Sequence, residues 1–373
     1  MSSTITVTRE SLGTSTGNRP RILSGVQPSG KLHLGNYFGA IRQHIDLQNR
    51  GEAFYFIADY HALTSLKQAE EAEAGIAAKN KSVVPRPARH ILRDRVRDVA
   101  LDYLALGLDP TKATFYRQSD VPEVTELAWF LSTVTGMGLL ERAHSYKDKV
   151  EHGIDANVGL FTYPVLMAAD ILIVRSHFVP VGKDQVQHLE MTRDMAGYFN
   201  RAYGEVFPEP RELHDEVTVV PGTDGRKMGK SYGNTIEIFA EGKALRDAVK
   251  GITTDSTPVE EPKNPETCNV FALYKLFATP EEEAKLADLY RNPMRDAETR
   301  GGRPFGYGDV KAMLLGKTEA YFAQARERRK QLACNPGYVE EVLQSGARRA
   351  REVAQVTLRL VRQAVGMNQQ SVG

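Results

Sequence analysis

Apolar positions first become continuous at Ile22-Leu23-Ser24-Gly25-Val26, a run of buried-strand length closed by the turn residues Gln27-Pro28-Ser29-Gly30. Beyond Gly35-Asn36 the spacing changes, and Tyr37, Phe38, Ile41, Ile45 and Leu47 recur at helical intervals. A second continuous run, Ala53-Phe54-Tyr55-Phe56-Ile57-Ala58, reads as a strand that ends in Asp59-Tyr60-His61. A helical pattern from about Ile91 to Leu106 stops at Gly107-Leu108-Asp109-Pro110, and Ala113-Thr114-Phe115-Tyr116 makes a third strand. Strands that are apolar on both faces and alternate with helices predict an α/β fold, a Rossmann-like doubly wound parallel sheet. In such sheets ligands lie beyond the carboxyl ends of the strands, so polar residues just after each strand are the first candidates for function.

Other stretches break this alternation. Residues 1–20 are rich in Ser and Thr and lack an apolar core, which reads as a flexible tail. Lys67–His90 combines an Ala/Glu-rich run with Lys79, Lys81, Arg86 and Arg89, the pattern of a solvated surface insertion. The segment 122–160 carries Leu127, Phe130, Leu131, Val134, Met137, Leu139 and Leu140, too apolar for a loop, and reads as a connecting helical element. From about Lys243 the chain is almost entirely helical, interrupted at 258–265 and 301–308. The expected organisation is a catalytic domain over 21–242, whose sheet ends near 217–235, and an all-helical C-terminal domain over 243–373.

Composition narrows the classes. A formal net charge of +1 points to no partner by itself, although basic residues gathered on one face would still bind nucleic acid. The only cysteines, Cys268 and Cys334, are far apart, so a disulfide framework, a cysteine-based zinc site and an iron–sulfur cluster are not expected. No apolar run reaches bilayer length, and a chain sparing in cysteine without a signal core is expected in the cytoplasm, off the membrane.

Two stretches carry chemistry. Leu32-His33-Leu34-Gly35-Asn36 stands at the start of a helix, where free N–H groups and the dipole suit a phosphate. Its glycine admits a flat base or sugar, and its histidine and amide can donate hydrogen bonds; taken alone, it is also an ordinary helix cap. Arg226-Lys227-Met228-Gly229-Lys230-Ser231, after Pro221-Gly222-Thr223-Asp224-Gly225, is a mobile cationic loop able to stabilise charge on a departing pyrophosphate. Alone, it is also a solvated basic turn.

Together and in this order, the two resemble the paired "HIGH" and "KMSKS" signatures of class I aminoacyl-tRNA synthetases. The stretches Gly159 to Leu172 (GLFTYPVLMAADIL) and Val179 to Glu190 (VPVGKDQVQHLE) resemble the bacterial tryptophanyl-tRNA synthetases, as do Ser24 to Gly30 and Gly136 to Arg142. The resemblance runs from about Arg21 to the C-terminus, excluding the insertion at 67–90.

That family implies an enzyme, a tryptophan–tRNA ligase forming a carbon–oxygen bond, with ATP and its Mg2+, tryptophan and tRNA as partners and a homodimeric state. By resemblance, ATP lies against Gln27, Pro28, Ser29, His33, Gly35, Asn36, Gly182, Lys183, Asp184, Lys227, Met228, Gly229, Lys230 and Ser231. The catalytic set is His33, Asn36, Lys227, Lys230 and Ser231, with no metal ligand from the protein. Tryptophan is implied at Leu23, Gly25, His61, Tyr163, Met167, Asp170 and Gln185.

The residues themselves speak to the key assignment. Asp170 sits between Val165-Leu166-Met167-Ala168-Ala169 and Ile171-Leu172-Ile173-Val174, where a carboxylate is costly unless something donates to it. An indole N–H is one such donor; a buried backbone N–H or an arginine would make Asp170 a structural acid instead. His61 reads equally as a satisfied core histidine, and Tyr163 as a packing aromatic. Leu23 replaces an aromatic residue common in the family, and Gly229 replaces a serine; the second change removes one hydroxyl while the backbone N–H remains. Residues 321–373 hold nine Lys/Arg and four Asp/Glu, and Arg348, Arg351, Arg359 and Arg362 share one face opposite Val339, Val342, Leu343, Ala350, Val353 and Val361. That face suits phosphates of a tRNA, or plain solvent. The competing functions are a tyrosyl-tRNA synthetase relative and a non-catalytic paralogue that binds tryptophan or RNA; retention of both lysines argues against the latter.

Overall fold

The computed structural model describes residues 19–79, 84–143, 157–182, 185–213 and 219–367. In chain order its main elements are β1 Arg21–Val26, β2 Glu52–Ile57, α1 Leu66–Lys79, α2 Ala88–Leu106, β3 Ala113–Arg117 and α3 Glu123–Val134. Then come α4 Val158–Ile173, β4 Phe178–Pro180, α5 Val186–Tyr203, β5 Arg211–Leu213, α6 Gly242–Lys250, α7 Asn269–Lys275, α8 Pro280–Arg291, α9 Tyr307–Ala333 and α10 Pro336–Ala364. No helix among the described residues is long and apolar enough to cross a membrane.

The five strands form one parallel sheet in the order β3-β2-β1-β4-β5. The expected doubly wound α/β architecture is therefore present, and its three long strands are the three apolar runs. β4 and β5 have three residues each. The order reverses between β1 and β4, which is where such sheets open a crevice for ligand. Gly107 closes α2 at φ 114°, the left-handed conformation that glycine adopts without strain.

The chain divides into two compact units, and not along the line at 242. The first comprises Met1–Gly30, His44–Glu216 and Leu332–Gly373; the second comprises Lys31–Gln43 and Val217–Gln331. The reason is α10. Its apolar stripe, read from the sequence as part of a separate helical domain, buries Val342, Leu343, Ala350 and Val361 and packs the helix onto β3. The approach is close enough that a Cβ on Gly346 would stand 1.8 Å from the Phe115 carbonyl oxygen. The core of the first unit joins β1–β4, α3, α4, α5 and α10 through residues such as Phe54, Leu127, Leu172, Met195 and Leu358. In the second unit Tyr37 and Phe38 stand edge-on to Phe322 and Phe277 at 5.1 and 5.2 Å.

The surface insertion holds a regular element. α1 covers most of it, and Arg86 hydrogen-bonds both carboxylate oxygens of Glu73, at 3.0 and 2.6 Å, as well as Asp94 at 2.9 Å. Within 122–160, α3 and the short helix Met137–Glu141 precede α4, while 144–156 lie outside the described residues.

Candidate active site

A cavity of about 470 Å³ opens at the carboxyl ends of β1, β2 and β4, at the switch in strand order. β1 contributes Leu23 and Gly25, β2 contributes Phe56, and β4 with the following residue contributes Val179 and Val181. Tyr163, Met167 and Asp170 on α4 complete the wall, because spacings of four and three residues put them on one helical face. The opposite face of the same helix, Val165, Ala168, Ala169 and Leu172, is buried in the core. His61 enters from the one-turn helix Asp59–Ala62 after β2, and Gln185 from the start of α5. All seven residues assigned to tryptophan by resemblance thus line one cavity.

Gly25 is required here by its neighbour. A Cβ at that position would meet the outer end of the Phe56 ring at 2.5 Å, so only glycine leaves room for the ring there. Tyr116 stacks on Phe56 with centroids 6.0 Å apart. An aromatic wall is therefore present even though Leu23 carries no ring; it comes from the neighbouring strand.

Asp170 is 3% exposed and its donors are now identified. His61 Nε2 lies 2.9 Å from Oδ2, and Gln118 Nε2 donates to Oδ1 at 2.8 Å and Oδ2 at 2.9 Å. Gln118 is fully buried, and its Oε1 accepts the Tyr60 N–H at 3.1 Å, which fixes the amide with its nitrogen toward Asp170. Asp59 anchors the same corner by accepting Ser119 N–H at 3.0 Å and its hydroxyl at 2.5 Å. Burial pushes the Asp170 carboxyl above the ordinary carboxylate range, and His61 and Gln118 pull it part of the way back. Two carboxylate oxygens offer about four acceptor sites, so three hydrogen bonds leave room for one more from a ligand. Across the cavity the Tyr163 hydroxyl bonds His188 Nε2, and burial pushes the Tyr163 phenol up to about 12. The arrangement suits a flat apolar ring carrying an N–H that meets Asp170.

Sequence reasoning missed Gln118, Phe56, Val179, Val181 and His188. Gln118 was within reach of the rule that polar residues directly after a strand line the site, since β3 ends at Arg117. Gln27 also lines the cavity, and its Nε2 donates to the His61 carbonyl at 3.4 Å. Pro28 is buried, Ser29 is exposed, and the Gly182 carbonyl accepts the Gln185 N–H at 2.9 Å. Lys183 and Asp184 lie outside the described residues.

The remaining phosphate candidates gather in the second unit. Leu34 N–H donates to the Ile236 carbonyl at 3.0 Å and Ile238 N–H to the Leu32 carbonyl at 3.1 Å, which docks the histidine stretch on the segment after the lysine loop. Asn36 caps the helix start by accepting the His33 N–H at 3.1 Å. Gly35 N–H donates to the Met228 sulfur at 3.4 Å, and a Cβ at Gly35 would crowd both the His33 ring and Met228. His33 is buried and its Nδ1 has no hydrogen-bond partner among the described residues. Burial, reinforced by the Lys230 charge, lowers the His33 imidazole to about 4, so it is neutral near pH 7. In the loop itself Met228 is buried, while Lys227, Lys230 and Ser231 are exposed. Gly229 has φ −164° and ψ 145°, extended backbone open to any residue, and a Cβ there would meet Tyr232 at 3.4 Å, an ordinary contact. Gly229→Ser is therefore expected to fold normally and to leave ATP-dependent turnover unchanged or slightly raised. A severalfold loss in steady-state turnover would count against this loop geometry.

Of the four C-terminal arginines, two are tied to acids. Arg351 Nε donates to Glu123 at 2.9 Å, and Arg362 reaches both oxygens of Glu126 at 2.7 and 2.6 Å. Arg348 and Arg359 are exposed on the same helix.

Residues 15–323 match the family model described as tRNA synthetases class I (W and Y). The chain is 50% identical to a tryptophan–tRNA ligase of Fusobacterium nucleatum, over 93% of this chain and 98% of that protein. A crystal structure of the Campylobacter jejuni tryptophanyl-tRNA synthetase complexed with ADP and tryptophan is 45% identical, with a TM-score of 0.81 over 93% of this chain and 99% of the other. The Mycoplasma pneumoniae tryptophanyl-tRNA synthetase is 28% identical, with a TM-score of 0.73 over 95% of this chain and all of the other.

Proposed function

Because the chain belongs to the class I tRNA synthetases of the tryptophan and tyrosine type, we propose that it is a tryptophan–tRNA ligase that activates tryptophan with ATP and transfers it to tRNA. The observation that carries the reading is the buried Asp170, placed with His61 and Gln118 at one end of an apolar, aromatic-walled cavity. Leu23, Gly25, Phe56 and Met167 take the faces of the indole, and Asp170 accepts its N–H. Tyr163 and Gln185 orient the rest of the amino acid. The tyrosine enzyme, the nearest alternative, is disfavoured because the relatives matched over nearly their whole length are tryptophan ligases.

The reaction has two steps. A tryptophan carboxylate oxygen attacks the α-phosphorus of ATP, forming the adenylate and releasing pyrophosphate. A terminal ribose hydroxyl of tRNA then attacks the adenylate carbonyl, and AMP leaves. No enzyme nucleophile is needed, so the protein supplies positioning and charge. Gln27, Pro28 and Ser29, with Gly182, Lys183 and Asp184, take the nucleoside. His33 and Asn36 donate to phosphate, and Gly35 leaves room for the nucleotide beside them. Lys227, Lys230 and Ser231 hold the pyrophosphate, with Met228 and Gly229 as the span between the lysines, their N–H groups bonded to Val220 and Asn234. Mg2+ enters as part of the nucleotide substrate.

Two cysteines, both free, fit a reducing compartment and a cytoplasmic enzyme. Trp129 and Met137 are 69% and 63% exposed on the 122–160 element, an apolar surface suited to a homodimer interface. tRNA is expected on the helical region 243–373, through Arg348, Arg351, Arg359 and Arg362. The protein should charge bacterial tRNA with tryptophan, and neutralising these four arginines together should weaken tRNA binding and flatten its salt dependence. Every phosphate deprived of its cationic partner lowers the slope by roughly one. Arg351 and Arg362 already face Glu123 and Glu126, so the slope should fall by about two and not by four. An unchanged slope, read from binding titrations at several salt concentrations, would make this face merely solvated.

A further inference from the structure

We infer that Asn234 is the positioning residue of the lysine loop, holding the peptides on both sides of Met228 so that Lys227 and Lys230 leave the backbone in fixed directions. The inference rests on the ATP-activating function proposed above. Asn234 is 2% exposed and follows Gly233, whose φ of 65° turns the chain back beneath the loop. Its Oδ1 accepts the Gly229 N–H at 2.8 Å. Its Nδ2 donates to the Lys227 carbonyl at 3.2 Å and to Asp224 Oδ1 at 2.6 Å. Its backbone carbonyl accepts the Thr223 N–H at 2.9 Å. One buried side chain therefore bonds the residues before and after Met228, and Met228 is itself held by its N–H to the Val220 carbonyl at 2.9 Å.

The amide can sit in only one sense, because reversing it would set Nδ2 against an N–H and Oδ1 against two acceptors. Asp224 is fixed in turn by Arg226, whose Nε donates at 2.7 Å and whose guanidinium lies 4.6 Å from the Tyr232 ring centroid. The Asn234 amide, with Arg226 behind it, holds the Asp224 carboxyl below the ordinary carboxylate range. The space is as specific as the bonding: a Cβ on Gly222 would fall 2.2 Å from Asn234 Nδ2. Asn234 is thus a buried partner to the loop's own backbone, while the two lysines it orients are exposed. A misplacement of the cations by about 1 Å is the kind of error that costs on the order of 100-fold in rate.

The test uses the full-length protein with Asn234→Asp, alone and combined with Asp224→Asn. The single variant sets two carboxylates against each other and removes the donor to the Lys227 carbonyl. It should lower kcat/KM for ATP in pyrophosphate exchange by roughly 10- to 100-fold, while equilibrium binding of tryptophan stays within about threefold. The double variant restores an amide–carboxylate pair with the roles exchanged and should recover about tenfold of that loss. ATP parameters within about threefold of the parent, no recovery in the double variant, or an equal loss of tryptophan binding would each overturn the assignment. Hydrogen exchange over 227–231 needs no substrate, and Asn234→Ala should speed it by roughly tenfold. Unchanged exchange there would overturn the inference even in a protein that activates no amino acid, whereas absence of activity in the parent protein would count only against the proposed function.

Discussion

Replacing Lys230 with alanine is expected to slow adenylate formation by roughly 100-fold or more, the size of effect typical when one charge-stabilising group is removed from a closed site. The loop is anchored by Met228 and Asn234, both buried, while Lys230 itself is exposed, so truncation removes a charge and leaves the loop backbone in place. On the open surface such a charge is worth little; its value arises when water is excluded around the leaving pyrophosphate. Melting temperature should hardly change. The Lys230 charge also acts with burial to lower the His33 imidazole to about 4, so the His33 titration followed by NMR should move upward in the variant. Single-turnover activation at the parent rate would make the loop an ordinary basic turn.

Asp170→Ala is the second large effect. Losing one charge-assisted hydrogen bond to the indole should cost about 1.5–3 kcal/mol, or roughly 10- to 150-fold in kcat/KM for tryptophan, with ATP binding near normal. The structure adds a complication, because the substitution also strips the acceptor from His61 and from the fully buried Gln118. Some loss of stability, about 1–3 kcal/mol for a donor left unsatisfied, is therefore expected alongside the change in specificity. Analogues separate the two. With carbon or sulfur in place of the indole nitrogen, the parent should discriminate strongly and the variant far less. A variant that is less stable but equally selective would make Asp170 part of the scaffold.

These expectations show how much was legible in the chain. β1, β2 and β3 were plain, because strands covered on both faces are continuous apolar runs of five or six residues. β4 and β5, at three residues each, are too short to give a period, and Val179-Pro180-Val181 drew notice as a motif instead of as a strand end. In α4 the apolar run around Asp170 is ambiguous between a buried helix and a strand. Its helical form is what gathers Tyr163, Met167 and Asp170 on one face. For α10 the apolar stripe predicted burial correctly but could not name the partner, since a stripe says that a helix is covered and not by what. Placing it on β3 moved the helix into the first unit and gave Arg351 and Arg362 their acidic partners. Gln118 left no trace in composition or period; only its place directly after β3 marked it, and its bonds to Asp170 appear once the fold brings the two together.

The central claim is that this protein activates tryptophan with ATP. It is tested most directly by ATP–pyrophosphate exchange without tRNA, run separately with each of the twenty amino acids. Exchange should be driven by tryptophan and by tyrosine only at a small fraction of that rate. Exchange driven by tyrosine in place of tryptophan, or by no amino acid at all, would contradict the account.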